Sequence, residues 1–337
     1  MSGARRILVT DRLFIALVAA AVLARLLAAW LLPPLLDVYY YDSQAARALL
    51  SGINPYGFSY TGIPSWLSTP GAANVFAYLP GVALFLAPFG AVWDIRLGLI
   101  FADVIVGLSI YSLRGTRSRR AALVFLLLPF TVLFSTSYPN NTLVAMASLA
   151  VAIVLWTRGR GRVASVLMGV ALASSQLIWF LYPLFLAWSL RSKRFDEVAI
   201  QTVSALALVL PFALWNWSAF TYDTILFEFT RAPRVLVSAA AFGFNVNPTI
   251  DGLVFSLTGV GVPLLLRAGV TVVGVAYAAL RSKDLRAVLL NGTVLMIFVI
   301  LVLPNDLSWW YFELPFMTLL VWLAGAEGQS GEKGVNP

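Results

Sequence analysis

Asp37 and Asp42 stand five residues apart, with Tyr39, Tyr40 and Tyr41 between them, directly after an apolar stretch that closes on Pro33-Pro34. A carboxylate at that junction is partly desolvated, a setting suited to general-base work or to holding a divalent cation. The other reading of Asp37 is an acid that caps or flanks a helix, with the tyrosines forming an interfacial aromatic belt. Five residues make nearly a turn and a half of helix. The two acids therefore do not share a helical face and are not, by themselves, a paired-carboxylate site.

Other polar groups fall in the breaks between apolar runs: Tyr138, Asn140 and Asn141; Asp223, Glu228, Arg231 and Arg234; Asp306, Trp309, Trp310 and Glu313. The chain has no Cys and no His, so disulfides, thiolate chemistry and imidazole bases are excluded. Acid–base or metal chemistry must run on carboxylates, tyrosines or the backbone. No phosphate-cradling or dinucleotide-binding glycine motif is present, so neither a soluble nucleotide nor haem is expected. Asp103 lies inside the apolar run Ile100–Ile105, where a charge is costly unless paired or functional. Arg25, inside the first apolar run, is its candidate partner in a structural ion pair.

The elements that must position these groups are membrane helices. The 337 residues are 60% hydrophobic and only 11% charged, against roughly 25% charge in soluble domains, so lipid must solvate much of the surface. The net charge of +8 gathers in short clusters at 114–120, 158–162, 191–194 and 281–283. That is the positive-inside pattern, with anionic lipid as the partner and no role for nucleic acid. The first apolar run is too long for a cleaved leader and reads as a retained helix over 12–34 with a cytoplasmic N-terminus, in a multi-pass protein of the cell membrane.

A polar excursion over 36–75 follows, with an amphipathic interfacial helix over Tyr41–Leu50. Apolar segments follow at 76–90, 97–113 and 121–157, the last a hairpin about Ser137–Asn141. Then come a pair over 163–190 broken near Ser174–Gln176, a helix at 198–216, a second excursion over 218–255, and helices at 257–280, 287–303 and 310–325. The expectation is one all-α transmembrane domain, 1–325, of ten or eleven hydrophobic segments, and a disordered tail, 326–337. Parity raises a conflict. If 76–90 and 97–113 both cross, the cluster at 114–120 lands outside; either 76–90 is re-entrant or the arginines break the rule.

The run Asp37-Val-Tyr-Tyr-Tyr-Asp42, followed by Ala45-Ala46, Gly52, Pro55-Tyr56 and then Tyr78 with Pro80, resembles the first external loop of the polytopic GT-C glycosyltransferases. The nearest likeness is to the polyprenyl-phosphate-mannose-dependent mannosyltransferases, including the GPI mannosyltransferase I type. The similarity continues through the helix bearing Asp103, through Ser137–Asn141, and through the Trp-bearing loop before the last helix. Two departures stand out: many relatives carry Lys or His where this chain has Ser175-Gln176, and a strict Asp-x-Asp is absent because Tyr39 follows Val38.

The resemblance implies a GT-C-like fold and transfer of a sugar, mannose by analogy, from a polyprenyl-phosphate donor to a hydroxyl of a glycan or lipid acceptor. Transfer would be at the outer membrane face, with inversion. Asp37 would be the catalytic base, or would help hold a divalent ion if one is used. Tyr40, Tyr41, Asp42, Tyr56, Tyr78, Tyr138, Asn140, Asn141, Gln176, Trp309 and Trp310 are candidates for donor or acceptor binding. Arg231 and Arg234, the only Lys/Arg of the second excursion, are candidates for the phosphate, with headgroup contact as the alternative. A transporter or lipid flippase, with its broken helices and buried charge, and a non-catalytic subunit working with a protein partner are the competing readings.

Overall fold

The computed structural model describes residues 3–64, 67, 75–113, 117–227, 237–240, 243–246, 249–304 and 309–325. The helices are α1 Gly3–Leu31, α2 Asp37–Leu50, α3 Pro80–Val92, α4 Arg96–Ser112, α5 Ser118–Leu127, α6 Pro129–Phe134, α7 Thr142–Thr157 and α8 Gly161–Leu172. They continue with α9 Leu177–Arg191, α10 Phe195–Trp215, α11 Trp217–Thr221, α12 Ile250–Thr258, α13 Leu264–Arg281, α14 Leu285–Val302 and α15 Glu313–Gly325. A π-helical turn covers Tyr222–Leu226. Among the described residues the chain is all-α and polytopic apart from one antiparallel hairpin, β1 Val237–Ala240 with β2 Gly243–Val246, in which Val237 faces Val246. Residues 12–31 of α1, with α10, α13 and α14, are long and apolar enough to cross a bilayer.

Side-chain contacts sort the helix ends onto two faces. At one face the Arg158 guanidinium donates to the Ser112 carbonyl at the end of α4, and Arg191 donates to the carbonyls of Ala279 and Ser282 at the end of α13. Trp156 Nε1 donates to Glu197 at the start of α10, and Arg286 lies over the Trp322 ring near the end of α15. The basic clusters therefore gather at one end of the bundle. At the other end, Leu35 N–H donates to Ser137 O, Gly81 N–H to Ala173 O, Asn140 to Glu313, and Arg267 to Leu303 O.

This arrangement resolves the parity conflict in favour of a re-entrant 76–90. Helix α3 begins against Ala173 and ends where Trp93 meets Trp30 at the close of α1, so both its ends lie at the face away from the arginines. Its 13 residues measure about 20 Å at 1.5 Å per residue, short of a hydrocarbon core of about 30 Å. Gly81 permits the close approach: a Cβ there would meet Ser174 Oγ at 2.2 Å and Ala173 O at 2.7 Å. Helix α4 then makes the return crossing, and all four basic clusters keep one side.

Helices α8 and α9 form a hairpin, α8 lying parallel to α10: Gly161 packs on Glu197, and Gly169 on Ser204 and the backbone of Gln201. The 12 residues of α8 reach only about 18 Å, and the Ala173–Gln176 tip is covered by the start of α3 and by the π turn, as buried backbone requires. Two expected elements are corrected. The stretch 121–157, read as two helices, holds three, α5, α6 and α7, because Pro129 divides the first; and the helix read as 257–280 begins only at Leu264, since Gly259 turns left-handed (φ 73°) to end a separate α12 within the second excursion.

Pro129 breaks the α5–α6 helix and leaves the carbonyls of the preceding turn without their usual donors. Thr131 Oγ1 takes Phe125 O at 2.6 Å and Arg25 Nη1 takes Leu126 O at 2.8 Å. Arg25 is fully buried, and its Nε donates to Asp103 Oδ2 at 2.5 Å. One guanidinium thus joins α1, α4 and the α5–α6 break.

Because the chain has no native Cys, sidedness can be read directly. Single cysteines at the exposed positions Arg160, Ser192 and Lys283 are expected to label from one side of the membrane, the cytoplasmic one by the positive-inside rule. A cysteine at exposed Ser59 should label from the other. Labelling of all four from one side would contradict the arrangement.

Candidate functional site

The site lies at the end away from the basic clusters, where the α1–α2 junction meets the turn before α7. The prolines after α1 leave the backbone extended, Leu36 stays extended (ψ 147°), and helix α2 starts on Asp37 itself, four residues before the expected Tyr41. The half-buried Asp37 accepts from Val38 N–H at 2.9 Å and sits in the first turn, where the helix dipole favours an anion. Asp42 lies on the same helix and is fully buried. Its Oδ1 accepts from Asn141 Nδ2 at 3.2 Å, and its Oδ2 has no hydrogen-bond partner among the described residues. Burial pushes the Asp42 carboxyl well above the usual carboxylate range; the Asn141 amide opposes this and the charge of Asp37 adds to it.

Asn140 and Asn141 are held by the end of the bundle. Asn140 Nδ2 donates to Glu313 Oε2 at 2.8 Å, and its Oδ1 accepts from Thr142 N–H at 3.1 Å. Glu313 Oε1 is buried and has no hydrogen-bond partner among the described residues. Both asparagines line a cavity of about 240 Å³ together with Val38, Tyr78, Ser174, Ser175, Gln176, Trp179, Phe180, Thr224 and Tyr311. Its walls come from α2, the α8–α9 tip, the π turn, the end of α14 and the approach to α15.

Gln176 ties three of these walls. Its Nε2 donates to Ala77 O at 2.8 Å and to Thr224 O at 3.2 Å. The amide thus spends its two donors on backbone, fixing the segment before α3 and the π turn against the α8–α9 tip. A π turn is a common companion of functional sites, and here it places Thr224 and Ile225 on the cavity wall.

The remaining sequence candidates are distributed unevenly. Tyr78 lines the cavity, whereas Tyr56 is fully buried among Phe76, Phe212 and Phe220, with its hydroxyl donating to Tyr78 O at 2.7 Å. Tyr40 packs edge-on to Tyr39, Tyr41 packs edge-on to Tyr60, and Tyr138 is half-buried. Arg25 and Asp103 are brought together away from the cavity. Arg231 and Arg234, Glu228 and Asp306 lie outside the described residues, as do the side chains of Trp309 and Trp310, whose backbone forms a 3-10 turn, Trp309–Phe312.

Sequence reasoning missed one support and gave a second, Asp223, no role. Asp94 and Arg96 pair at 2.7 Å, Tyr39 donates to Asp94 at 3.2 Å, and Arg96 donates to Leu32 O at 2.8 Å, so this trio fixes the α1–α2 junction against α4. The signal was two charges within four residues, Trp93–Arg96, between apolar runs. Asp223, on the π turn, accepts from Gly57 N–H at 3.2 Å and so fastens the first loop to the second.

Desolvation raises Asp223 to about 6, with the Gly57 N–H pulling the other way. An acid whose folded pKa lies above its unfolded 3.8 binds its proton more tightly when folded. Its contribution to stability is therefore fully present below about pH 4 and is lost as pH rises through about 6. Asp223→Asn, which keeps an acceptor for Gly57, is expected to flatten the fall in stability between pH 4 and 6, read by thermal unfolding in detergent. An unchanged pH profile would refute this role.

The fold of the chain is similar to that of ArnT from Cupriavidus metallidurans. The likeness to ArnT bound to undecaprenyl phosphate has a TM-score of 0.58 at 14% identity, covering 93% of this chain and 59% of that one. The apo structure of the same protein gives a TM-score of 0.57 at 15% identity, over 95% of this chain and 60% of that one. The chain thus spans about three fifths of the length of ArnT. No protein-family model matches it, and no curated protein sequence does either.

Proposed function

We propose that this protein transfers a sugar from a polyprenyl-phosphate-linked donor to an acceptor hydroxyl, at the membrane face opposite its basic loops. The observation that carries the reading is the place of the cavity. It is edged by the acid-bearing helix α2 and lies at one end of the bundle, where a headgroup would sit. A transporter needs a central site near mid-membrane with access to both sides; this cavity is lined by Val38, Asn140, Asn141 and Pro304, at the end of the bundle away from the basic clusters. The fold likeness to a protein that binds undecaprenyl phosphate supports the same donor class.

In this reading Asp37 takes the proton of the acceptor hydroxyl while that oxygen attacks the anomeric carbon and the bond to the phosphate oxygen breaks. Polyprenyl phosphate leaves with the electron pair, and the configuration inverts. The two acids of α2 divide the work: burial raises the Asp42 carboxyl well above the usual carboxylate range, which leaves the half-buried Asp37, at the positive end of the α2 dipole, as the base. The prenyl chain stays in lipid, where its apolar surface avoids water. Arg231 and Arg234 would face the phosphate. For a divalent cation, Asp37 with the amide oxygen of Asn141 would supply oxygen ligands; among the described residues no three acidic groups cluster. Mannose is the sugar that the sequence resemblance favours, and the outer face follows from the positive-inside rule.

The test is reconstitution of the purified protein in vesicles with radiolabelled polyprenyl-phosphate mannose and a membrane glycolipid extract as acceptor. Label should move to the acceptor with release of polyprenyl phosphate. Transfer no greater than in protein-free vesicles, with mannose and with other lipid-linked sugars, would defeat the reading.

A further inference from the structure

Behind Asn140 lies a polar cluster whose charges do not balance. Arg25, Asp103 and Glu313 are each at most 1% exposed, and the charges of Asp103 and Arg25 both act on Glu313. That sets two carboxyls against one guanidinium. The guanidinium is committed: its Nε donates to Asp103 Oδ2, and its terminal nitrogens donate to the carbonyls of Ala21 and Leu126 and to the hydroxyl of Thr131. None of these bonds reaches Glu313, whose Oε2 accepts from the neutral amide of Asn140. The residues just before it in the chain, 305–312, include Asp306 and no Lys or Arg.

The oxygens left over match the missing charge. Glu313 Oε1 and Asp103 Oδ1 are buried and lack a hydrogen-bond partner among the described residues. Two carboxylates carry acceptors only, so neither can satisfy the other. A second carboxylate without a cation in a dry interior is strongly unfavourable. One proton removes both faults: it brings the cluster to neutrality and supplies a donor for the other acid, directly or across one water. Asp103 is the acid bonded to the guanidinium, so the proton belongs on Glu313 Oε1.

On these grounds we infer that Glu313 works as a neutral carboxylic acid, a positioning residue that ties the Arg25–Asp103 pair to the cavity wall through Asn140. Asn140 lines the cavity, and its amide is fixed at both ends, Nδ2 by Glu313 and Oδ1 by Thr142 N–H. The protonated acid suits this place because its carbonyl oxygen takes the Asn140 N–H while its hydroxyl serves Asp103. Glutamine offers the same pattern, an oxygen acceptor and an N–H donor with no charge; alanine offers neither. The state of Glu313 stands apart from the reaction, whereas its effect on turnover rests on the transferase reading above.

The experiment compares the full chain with its Glu313→Gln and Glu313→Ala variants in vesicles near neutral pH. The infrared difference between wild type and E313Q should show the carbonyl stretch of one protonated carboxyl, lost in the variant; Asp42 is common to both and cancels. Transfer from a polyprenyl-phosphate donor should stay within about threefold of wild type in E313Q and fall about tenfold or more in E313A, where Asn140 is free to shift. Should E313A fail to fold, the infrared band and the E313Q rate decide. Loss of a carboxylate band in place of the acid band, as when a metal cation supplies the missing charge, would overturn the inference. So would an E313Q protein that has lost transfer, or an E313A protein as active as wild type. A wild type that transfers no sugar would overturn the function proposed above, and the infrared difference would still decide the state of Glu313.

Discussion

Asp37→Asn is expected to abolish sugar transfer, lowering turnover by about 10²–10⁴-fold, the usual contribution of a positioned general base. The carboxylate opens α2 where Leu35 N–H is fastened to Ser137 O and the next residue, Val38, reaches the cavity wall. The amide keeps the shape and the acceptor for Val38 N–H but cannot take a proton. Membrane insertion, thermal stability and retention of the lipid donor should therefore be unchanged, with the loss in kcat. Asp42→Asn supplies the contrast. Burial raises that carboxyl well above the usual carboxylate range, and an amide is close in shape and polarity to the protonated form that burial favours. Its turnover should stay within about threefold of wild type, a change of about 0.7 kcal/mol in barrier. Full activity in D37N, or loss in D42N equal to that in D37N, would move the base from Asp37 to another group.

The second large effect is on stability. Asp103→Ala should destabilise the protein by about 3–5 kcal/mol, because it leaves a buried guanidinium without its counter-charge. Arg25 and Asp103 are both fully buried, so neither water nor lipid headgroup can take the place of the lost partner. Asp103→Asn keeps an acceptor for Arg25 Nε and should cost less. Replacing both residues with apolar ones should recover part of the loss. Recovery stays incomplete because Arg25 also serves Leu126 O at the Pro129 break. Thermal unfolding of the four proteins in one detergent gives the order; an Asp103→Ala protein as stable as wild type would show that the pair does not hold the bundle.

Much of this protein was legible in its residues. Composition and the clustered arginines determine a polytopic helical membrane protein with one basic face, since lipid accepts few charges and the cytoplasmic side holds them. Pro33-Pro34 ends α1 and Pro139 marks the turn before α7, because proline lacks a backbone donor. The isolated charges Arg25 and Asp103 announced a partnership because an unpaired charge at that depth is too costly.

Only the tertiary structure decided which apolar segments cross. Hydropathy records that a side chain leaves water, and lipid and protein interior are equally dry; α3 reads like a span, yet its two ends return to one face. The same limit applies to the polar groups of the site. Asn140, Gln176 and Thr224 lie far apart in sequence and carry no charge, so nothing in local pattern says that they share a wall. Tyr56 and Tyr78 look alike in the chain, but one is sealed in an aromatic cluster and the other faces the cavity. Asp37 and Asp42, alike in residue type and on one short helix, differ because the bundle closes over one and leaves the other half open. Burial is a property of neighbours contributed by the whole chain, and it is what raises the Asp42 carboxyl above the usual carboxylate range.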